Sequence, residues 1–163
     1  MLRLPLVLIG TSIGQVFFQK AAEMINRGEN VFATAVKSVR TLTLLSIIPF
    51  AIVMLFGEFL FAFVFGENWR EAGIYAEIMA PWLMINFIAS PISPLPMVLN
   101  KQRQFFLMAL FGTLLMLATL FLPKWIFDSS IYTTLYITSY SQTVYLIFVI
   151  FIIFGFAKGW KKK

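Results

Sequence analysis

Residues 41–66, TLTLLSIIPFAIVMLFGEFLFAFVFG, decide the fold class of this chain, and they contain a single charged side chain, Glu58. As an α-helix, this stretch would extend roughly 39 Å, which exceeds a membrane hydrocarbon core of about 30 Å. The stretch therefore predicts a helix that crosses a membrane. Because a carboxylate at mid-membrane is costly, we expect the crossing to end near Phe56, before Glu58.

The rest of the chain repeats this pattern. Of the 163 residues, 60% are hydrophobic and 12% are charged, against about 45–50% and about 25% in ordinary globular domains. Apolar stretches predict spans near residues 4–19, 41–56, 74–100, 105–122 and 131–157. We therefore expect one all-α domain over residues 1–163, a polytopic membrane helix bundle of about five transmembrane helices.

The residue types present in the chain exclude several classes of catalytic and metal site. The chain contains no Cys and no His, which removes thiol nucleophiles, disulfides, zinc sites and Ser-His arrangements. It also lacks the G-x-x-x-x-G-K-[ST] loop of nucleotide hydrolysis. Seven carboxylates remain, and the expected topology does not pair them for catalysis. We therefore expect no catalytic residue, metal or cofactor; a membrane transferase is the enzyme alternative.

The basic residues predict an orientation. Lys+Arg 13 and Asp+Glu 7 give a net charge of +6, and ten of the basic residues fall in segments on one side of the predicted spans. The positive-inside rule places the connection 20–40, the turn 101–104 and the basic tail 158–163 in the cytoplasm, with the N-terminus outside. The excess charge is thus a topological signal, and we expect no nucleic acid.

The connection 20–40 is amphipathic and broken by a turn at residues 26–30. We expect it to lie along the inner membrane surface, either as an ordinary connecting helix or as part of a basic mouth that attracts anionic headgroups. The candidate residues of this cytoplasmic basic mouth are Lys20, Lys37, Arg40, Lys101 and Arg103.

Prolines make the third stretch unusual. Each interior proline removes a helix hydrogen bond, so Pro81 and the run from Pro91 to Pro96 exclude a straight helix. We expect neighbouring helices, Ser90, Ser93 or water to satisfy the freed carbonyls. The run is either a static kink or a hinge of alternating access, and the hinge candidates are Pro91, Pro94 and Pro96.

Hydroxyl groups recur along the fifth stretch. Tyr136, Ser139, Tyr140 and Thr143 are spaced as neighbours on one helical face, which predicts either interhelical hydrogen bonding or the wall of a sugar-compatible cavity. Asn86 in the third stretch has the same two interpretations. The candidates for a substrate path are Gln15, Asn86, Ser90, Tyr136, Ser139, Tyr140 and Thr143.

Four segments carry a family resemblance. They are GQVFFQKAAE at residues 14–23, FGENWREAG at 65–73, APWL at 80–83, and the run from Ser90 to Asn100 followed by KQR. Over about residues 4–122, the chain resembles bacterial polysaccharide-biosynthesis flippases of the multidrug/oligosaccharidyl-lipid/polysaccharide exporter superfamily. The element Phe-Gly-Glu-x-Trp-x-x-Ala is the most specific part.

The resemblance implies a fold and a function. Members have two helical lobes that carry lipid-linked oligosaccharides across the bacterial inner membrane by alternating access, and this chain would supply most of the second lobe. The expected partners are membrane lipids, the lipid-linked oligosaccharide, and the first, N-terminal lobe or another copy of the chain. A non-transporting membrane scaffold or assembly subunit is the alternative from another class.

Overall fold

The computed structural model describes the backbone of residues 3–160 and the side chains of residues 15–123, 125 and 128–160. This part of the chain is helical and contains no strand. The helices are α1 (Arg3–Arg27), α2 (Phe32–Phe65), α3 (Arg70–Ala89), α4 (Leu95–Val98), α5 (Gln102–Phe127) and α6 (Ile131–Gly159), with a 3₁₀ turn at Glu67–Trp69.

Four of these elements are long and apolar enough to cross a membrane. They are Phe32–Phe65, Glu67–Ala89, Gln102–Pro123 and Ile131–Gly159. Hydrophobic composition thus gives an all-helical membrane bundle, in agreement with the expected class. The fifth expected span, residues 4–19, lies in α1, mostly where side chains are outside the described residues, and it stays a prediction.

Helix α2 continues past the residue at which we expect its membrane crossing to end. The helix does not end near Phe56 but continues for nine more residues to Phe65, for a total of 34 residues or roughly 51 Å. Two contacts explain the continuation: Gly57 is buried against α3, and the Glu58 carboxylate pairs with Arg70 at 2.9 Å. The Glu58 side chain is also 43% exposed, so the helix continues while this carboxylate stays in contact with water.

The connection 20–40 contains the predicted turn, but the segments on either side do not form a separate surface helix. Residues 20–27 complete α1, and residues 32–40 are the first turns of α2. Between them, Gly28 has a φ of 79°, a conformation that glycine adopts without strain. The Asn30 side chain then accepts a hydrogen bond from the Phe32 amide at 2.8 Å, which starts α2.

The third stretch is broken, as its prolines predict. Helix α3 contains Pro81 and ends at Ala89, and a series of turns leads to the single-turn helix α4. The Ser90 hydroxyl donates to the Phe87 carbonyl at 2.9 Å, and the Ser93 hydroxyl donates to the Ala89 carbonyl at 3.1 Å. Phe87 lies four residues before Pro91, so Ser90 satisfies the carbonyl that this proline leaves free.

The main apolar core surrounds this broken segment. Ile92 and Leu95 are fully buried, and they pack with buried residues of α1, α2 and the C-terminal half of α6. Phe32 contacts Phe154 here, with ring centroids 5.8 Å apart. We call this the basic end of the bundle, because the basic residues around residues 20–40, 101–103 and 158 lie at the helix ends that meet here.

The opposite end is rich in carboxylates. It comprises the end of α2, the 3₁₀ turn and the first turns of α3 and α6, and we call it the acidic end. Helix α6 starts here, where the Ser130 side chain accepts from the Thr133 amide at 3.3 Å and caps the helix. Helix α6 then runs towards the basic end, packing against α3 and α5.

Candidate functional site

The predicted hydroxyl stripe of α6 does not lie on a single surface. Tyr136 and Tyr140 are 48% and 60% exposed, with their rings stacked 6.3 Å apart, whereas Ser139 is fully buried. Thr143 is half-buried and donates to the Ser139 carbonyl of its own helix at 2.7 Å. The structure therefore separates two exposed phenols from two hydroxyls that lie in or near helix contacts.

A second polar row on α6 is buried instead. Thr134, Thr138 and Gln142 recur at every fourth residue and are each less than one-tenth exposed. The Gln142 side-chain amide donates to the Gly112 carbonyl of α5 at 3.2 Å, and Thr138 donates to the Thr134 carbonyl at 2.9 Å. This row is not among the residues predicted from the sequence, although its four-residue spacing is a visible signal.

Helices α5 and α6 are joined by this face. The Tyr145 hydroxyl donates to the Met108 carbonyl one turn from the Gln142 bond, and its ring lies 5.6 Å from that of Phe111. Gly112 makes room for the ring, because a Cβ there would lie 2.6 Å from Tyr145 Cε1. Interhelical hydrogen bonding is thus the role that the structure gives to this side of α6.

The acidic end contains a tyrosine and carboxylate group that the sequence analysis did not identify. Tyr75 and Tyr132 have ring centroids 5.7 Å apart, and both hydroxyls donate to the same Glu71 oxygen, that of Tyr132 at 3.4 Å. With Tyr136 and Tyr140, these residues line the acidic half of the bundle with phenol rings. This arrangement can present aromatic faces and hydroxyl groups to a ligand or to another helix.

Arg70 organises the charges of the same end. Its guanidinium binds both Glu67 oxygens, at 2.8 and 2.9 Å, and one Glu58 oxygen at 2.9 Å. Because these side chains are partly exposed, water screens the ion pairs. The pairs therefore set the local geometry of the connection and contribute little stability. Glu77 also reaches α2, where it accepts from the Glu58 amide at 2.8 Å.

The remaining substrate-path candidates are scattered. Gln15 on α1, Asn86 on α3 and Ser90 at the end of α3 are all exposed. Ser90 uses its hydroxyl to satisfy the Phe87 carbonyl, as described above. No hydrogen bond described for residues 15–160 joins these three side chains to the α6 hydroxyls.

The proline and basic candidates lie at the other end of the bundle. Pro91 and Pro96 are fully buried and Pro94 is half-buried, so the proposed hinge sits inside the core. All five residues of the predicted basic mouth are exposed; they are Lys20, Lys37, Arg40, Lys101 and Arg103. The Lys101 ammonium lies 5.9 Å from the centre of the Phe156 ring, and both described ion pairs are at the acidic end.

In the described part of the chain, no three His, Cys, Asp or Glu side chains are grouped so as to hold a metal ion. Comparison with known protein families, curated proteins and solved structures finds no match. The family resemblance therefore rests on the four sequence segments quoted above.

Proposed function

We propose that this chain is part of a flippase that carries lipid-linked oligosaccharides across the bacterial inner membrane by alternating access. The proposal is supported by the positions of the resembling segments in the fold. Residues 65–73 form the α2–α3 connection, and residues 90–100 form the broken segment in the core. Both depart from plain membrane helices, and such departures are common where membrane proteins function.

The α2–α3 connection is specified in detail by its sequence. Gly66 has a φ of 98°, and its amide donates to the Ala62 carbonyl at 2.9 Å, which ends α2. The Trp69 amide then donates to the Gly66 carbonyl at 2.9 Å, and Arg70 holds Glu67. These contacts give Gly66, Glu67 and Arg70 defined local roles, which supports a specific motif rather than a chance match.

Exposed polar groups on the membrane spans are evidence that a partner packs against them. Asn86 is exposed on α3, and Tyr136 and Tyr140 are exposed on α6 beside exposed isoleucine, valine and phenylalanine side chains. Polar groups favour protein interiors or water-filled cavities over lipid tails. We propose that a second lobe or another copy of the chain faces these residues, with the lipid-linked oligosaccharide between the two.

We propose that the basic end faces the cytoplasm. The described basic residues other than Arg3, Arg70 and Lys124 lie at that end or in the segments leading to it, as the positive-inside rule requires of cytoplasmic loops. In this orientation the tyrosines of α6 and α3 face the outer leaflet. The N-terminus is then outside and the C-terminus inside.

Transport in reconstituted vesicles tests the proposal. We expect the assembled transporter to flip a fluorescent lipid-linked oligosaccharide, and Tyr136→Leu with Tyr140→Leu to slow flipping at unchanged protein abundance. Phe148→Leu is the matched control, because Phe148 is a similarly exposed aromatic residue of α6, at 62%. Equal flipping by the tyrosine variant and the control would contradict a role of these residues in the substrate path.

A membrane scaffold or assembly subunit is the second candidate. The observation that favours it is the burial of Pro91 and Pro96, because a break that is packed on all sides suits a fixed joint. A scaffold predicts that loss of the chain lowers the abundance of partner membrane proteins. A flippase predicts normal partner abundance with accumulation of lipid-linked oligosaccharide in the inner leaflet.

A further inference from the structure

Helix α2 presents two cations side by side at the basic end. Lys37 and Arg40 are three residues apart, so they are neighbours on one face of the helix, and both side chains are exposed. Both ion pairs of the described residues lie around Arg70 at the acidic end. Within that part of the chain, no carboxylate pairs with Lys37 or Arg40. Two positive charges on one face are therefore left for an anion from outside the chain.

An apolar surface continues directly from these cations. Leu44 is four residues after Arg40 and seven after Lys37, and Ile48 is four residues after Leu44, so the four side chains follow one side of α2. Leu44 and Ile48 are each more than half exposed. Because α2 is apolar and long enough to cross a membrane, this side combines positive charge at the level of the headgroups with an apolar face at the level of the lipid tails.

The basic residues at the start of α5 are arranged differently. The Lys101 ammonium lies over α6, 5.9 Å from the centre of the Phe156 ring. Arg103 instead shares one side of α5 with Leu107 and Leu110, which are both exposed. One cation is thus placed against α6 and the other on the exposed side of α5. This pair offers no shared face to a single anion, whereas the pair on α2 does.

We propose that Lys37 and Arg40 bind the headgroup of an anionic phospholipid, whose acyl chains lie along Leu44 and Ile48. The Arg40 guanidinium can bind two phosphate oxygens at once, and Lys37 adds a second positive charge. Thr41 is exposed next to Arg40 and supplies a hydroxyl group. A zwitterionic lipid is disfavoured, because its ammonium group would add positive charge to this site. The inference depends on the membrane class of α2 and stands whether or not the chain belongs to a flippase.

Native mass spectrometry of the full chain in detergent measures the affinity for the first bound lipid. The probes are phosphatidylglycerol and phosphatidylethanolamine with the same acyl chains, since these lipids differ in headgroup charge. We expect the wild type to bind phosphatidylglycerol more tightly. Lys37→Gln with Arg40→Gln should lower this affinity about 25-fold, at about fivefold for each cation removed. Binding of phosphatidylethanolamine should change little.

Two matched double variants separate a site from a general effect of charge. Lys101→Gln with Arg103→Gln removes the same charge from the same end of the bundle, and it should lose far less affinity for phosphatidylglycerol. Lys37→Arg with Arg40→Lys keeps both charges and should bind nearly as tightly as the wild type. Equal losses in the two glutamine variants, or equal affinities of the wild type for the two lipids, would overturn the proposal.

The wild type also distinguishes other occupants of this face. A photoactivatable phosphatidylglycerol should crosslink to peptides that contain residues 37–48. Crosslinks confined to other helices would overturn the proposal even if the glutamine variants do not fold. Inorganic phosphate that competes as well as the lipid would instead assign the two cations to a free anion. A dimer whose formation prevents lipid binding would show that a second copy of the chain covers the face, and either result would also overturn the proposal.

Discussion

Gly112→Ala is expected to weaken the pairing of α5 with α6. The new Cβ would lie 2.6 Å from Tyr145 Cε1 and 3.0 Å from Tyr145 Cζ, so the phenol ring must move. Movement of the ring also breaks the hydrogen bond from the Tyr145 hydroxyl to the Met108 carbonyl. Helix α5 is the most exposed of the four apolar helices, with none of its apolar window buried, so this face is its main attachment.

The magnitude follows from three effects. Overpacking costs about 1–3 kcal/mol, and an interhelical hydrogen bond in a membrane bundle contributes about 0.6 kcal/mol. Replacing glycine by alanine within a helix gains up to about 1 kcal/mol. Gly155→Ala on α6 is the matched control, because it has the same gain and nothing lies within 4 Å of its Cβ. We expect Gly112→Ala to be less stable than the control by about 2–3 kcal/mol.

Equilibrium unfolding of the two variants in bicelles measures this difference. In a Tyr145→Ala background the obstructing ring is absent, so Gly112→Ala should lose most of its cost, and a double-mutant cycle gives the coupling. Equal stabilities of the Gly112→Ala and Gly155→Ala variants would refute the close contact between α5 and α6. A full cost retained in the Tyr145→Ala background would refute the ring as its cause.

Three further predictions concern topology, the broken segment and assembly. Reporters fused after Lys163 and within residues 26–30 should report the cytoplasm and one near Asp128 the outside, because the basic residues divide ten to three; a periplasmic signal from the C-terminal fusion would contradict this. Replacing Pro91 and Pro94 with Ala in the complete transporter should reduce flipping at near-normal abundance if they form a hinge, whereas equal losses of protein and transport would indicate a static kink. The chain expressed alone should insert and self-associate in detergent without flipping a lipid-linked sugar, since alternating access needs two lobes; flipping by the isolated chain in vesicles would contradict this.

The sequence by itself determined the helical membrane class and the break within residues 90–100, although Pro49, Pro81 and Pro123 lie inside continuous helices. Hydropathy is a property of each residue, and proline removes its own hydrogen bond wherever it stands, so both signals act without knowledge of neighbours. The pairing of Ser90 with the Phe87 carbonyl was predictable for the same reason, because donor and acceptor are three residues apart.

Only the tertiary structure decided which polar groups are buried and where α2 ends. The α6 hydroxyls occur around much of the helix, and the positions of α3 and α5 decided that Ser139 is buried while Tyr140 is exposed. Likewise, α2 continues past Glu58, where Gly57 packs against α3 and the carboxylate pairs with Arg70, twelve residues later. Each outcome depends on a contact between separate helices, and hydropathy and helical spacing contain no information about which helix will be the neighbour.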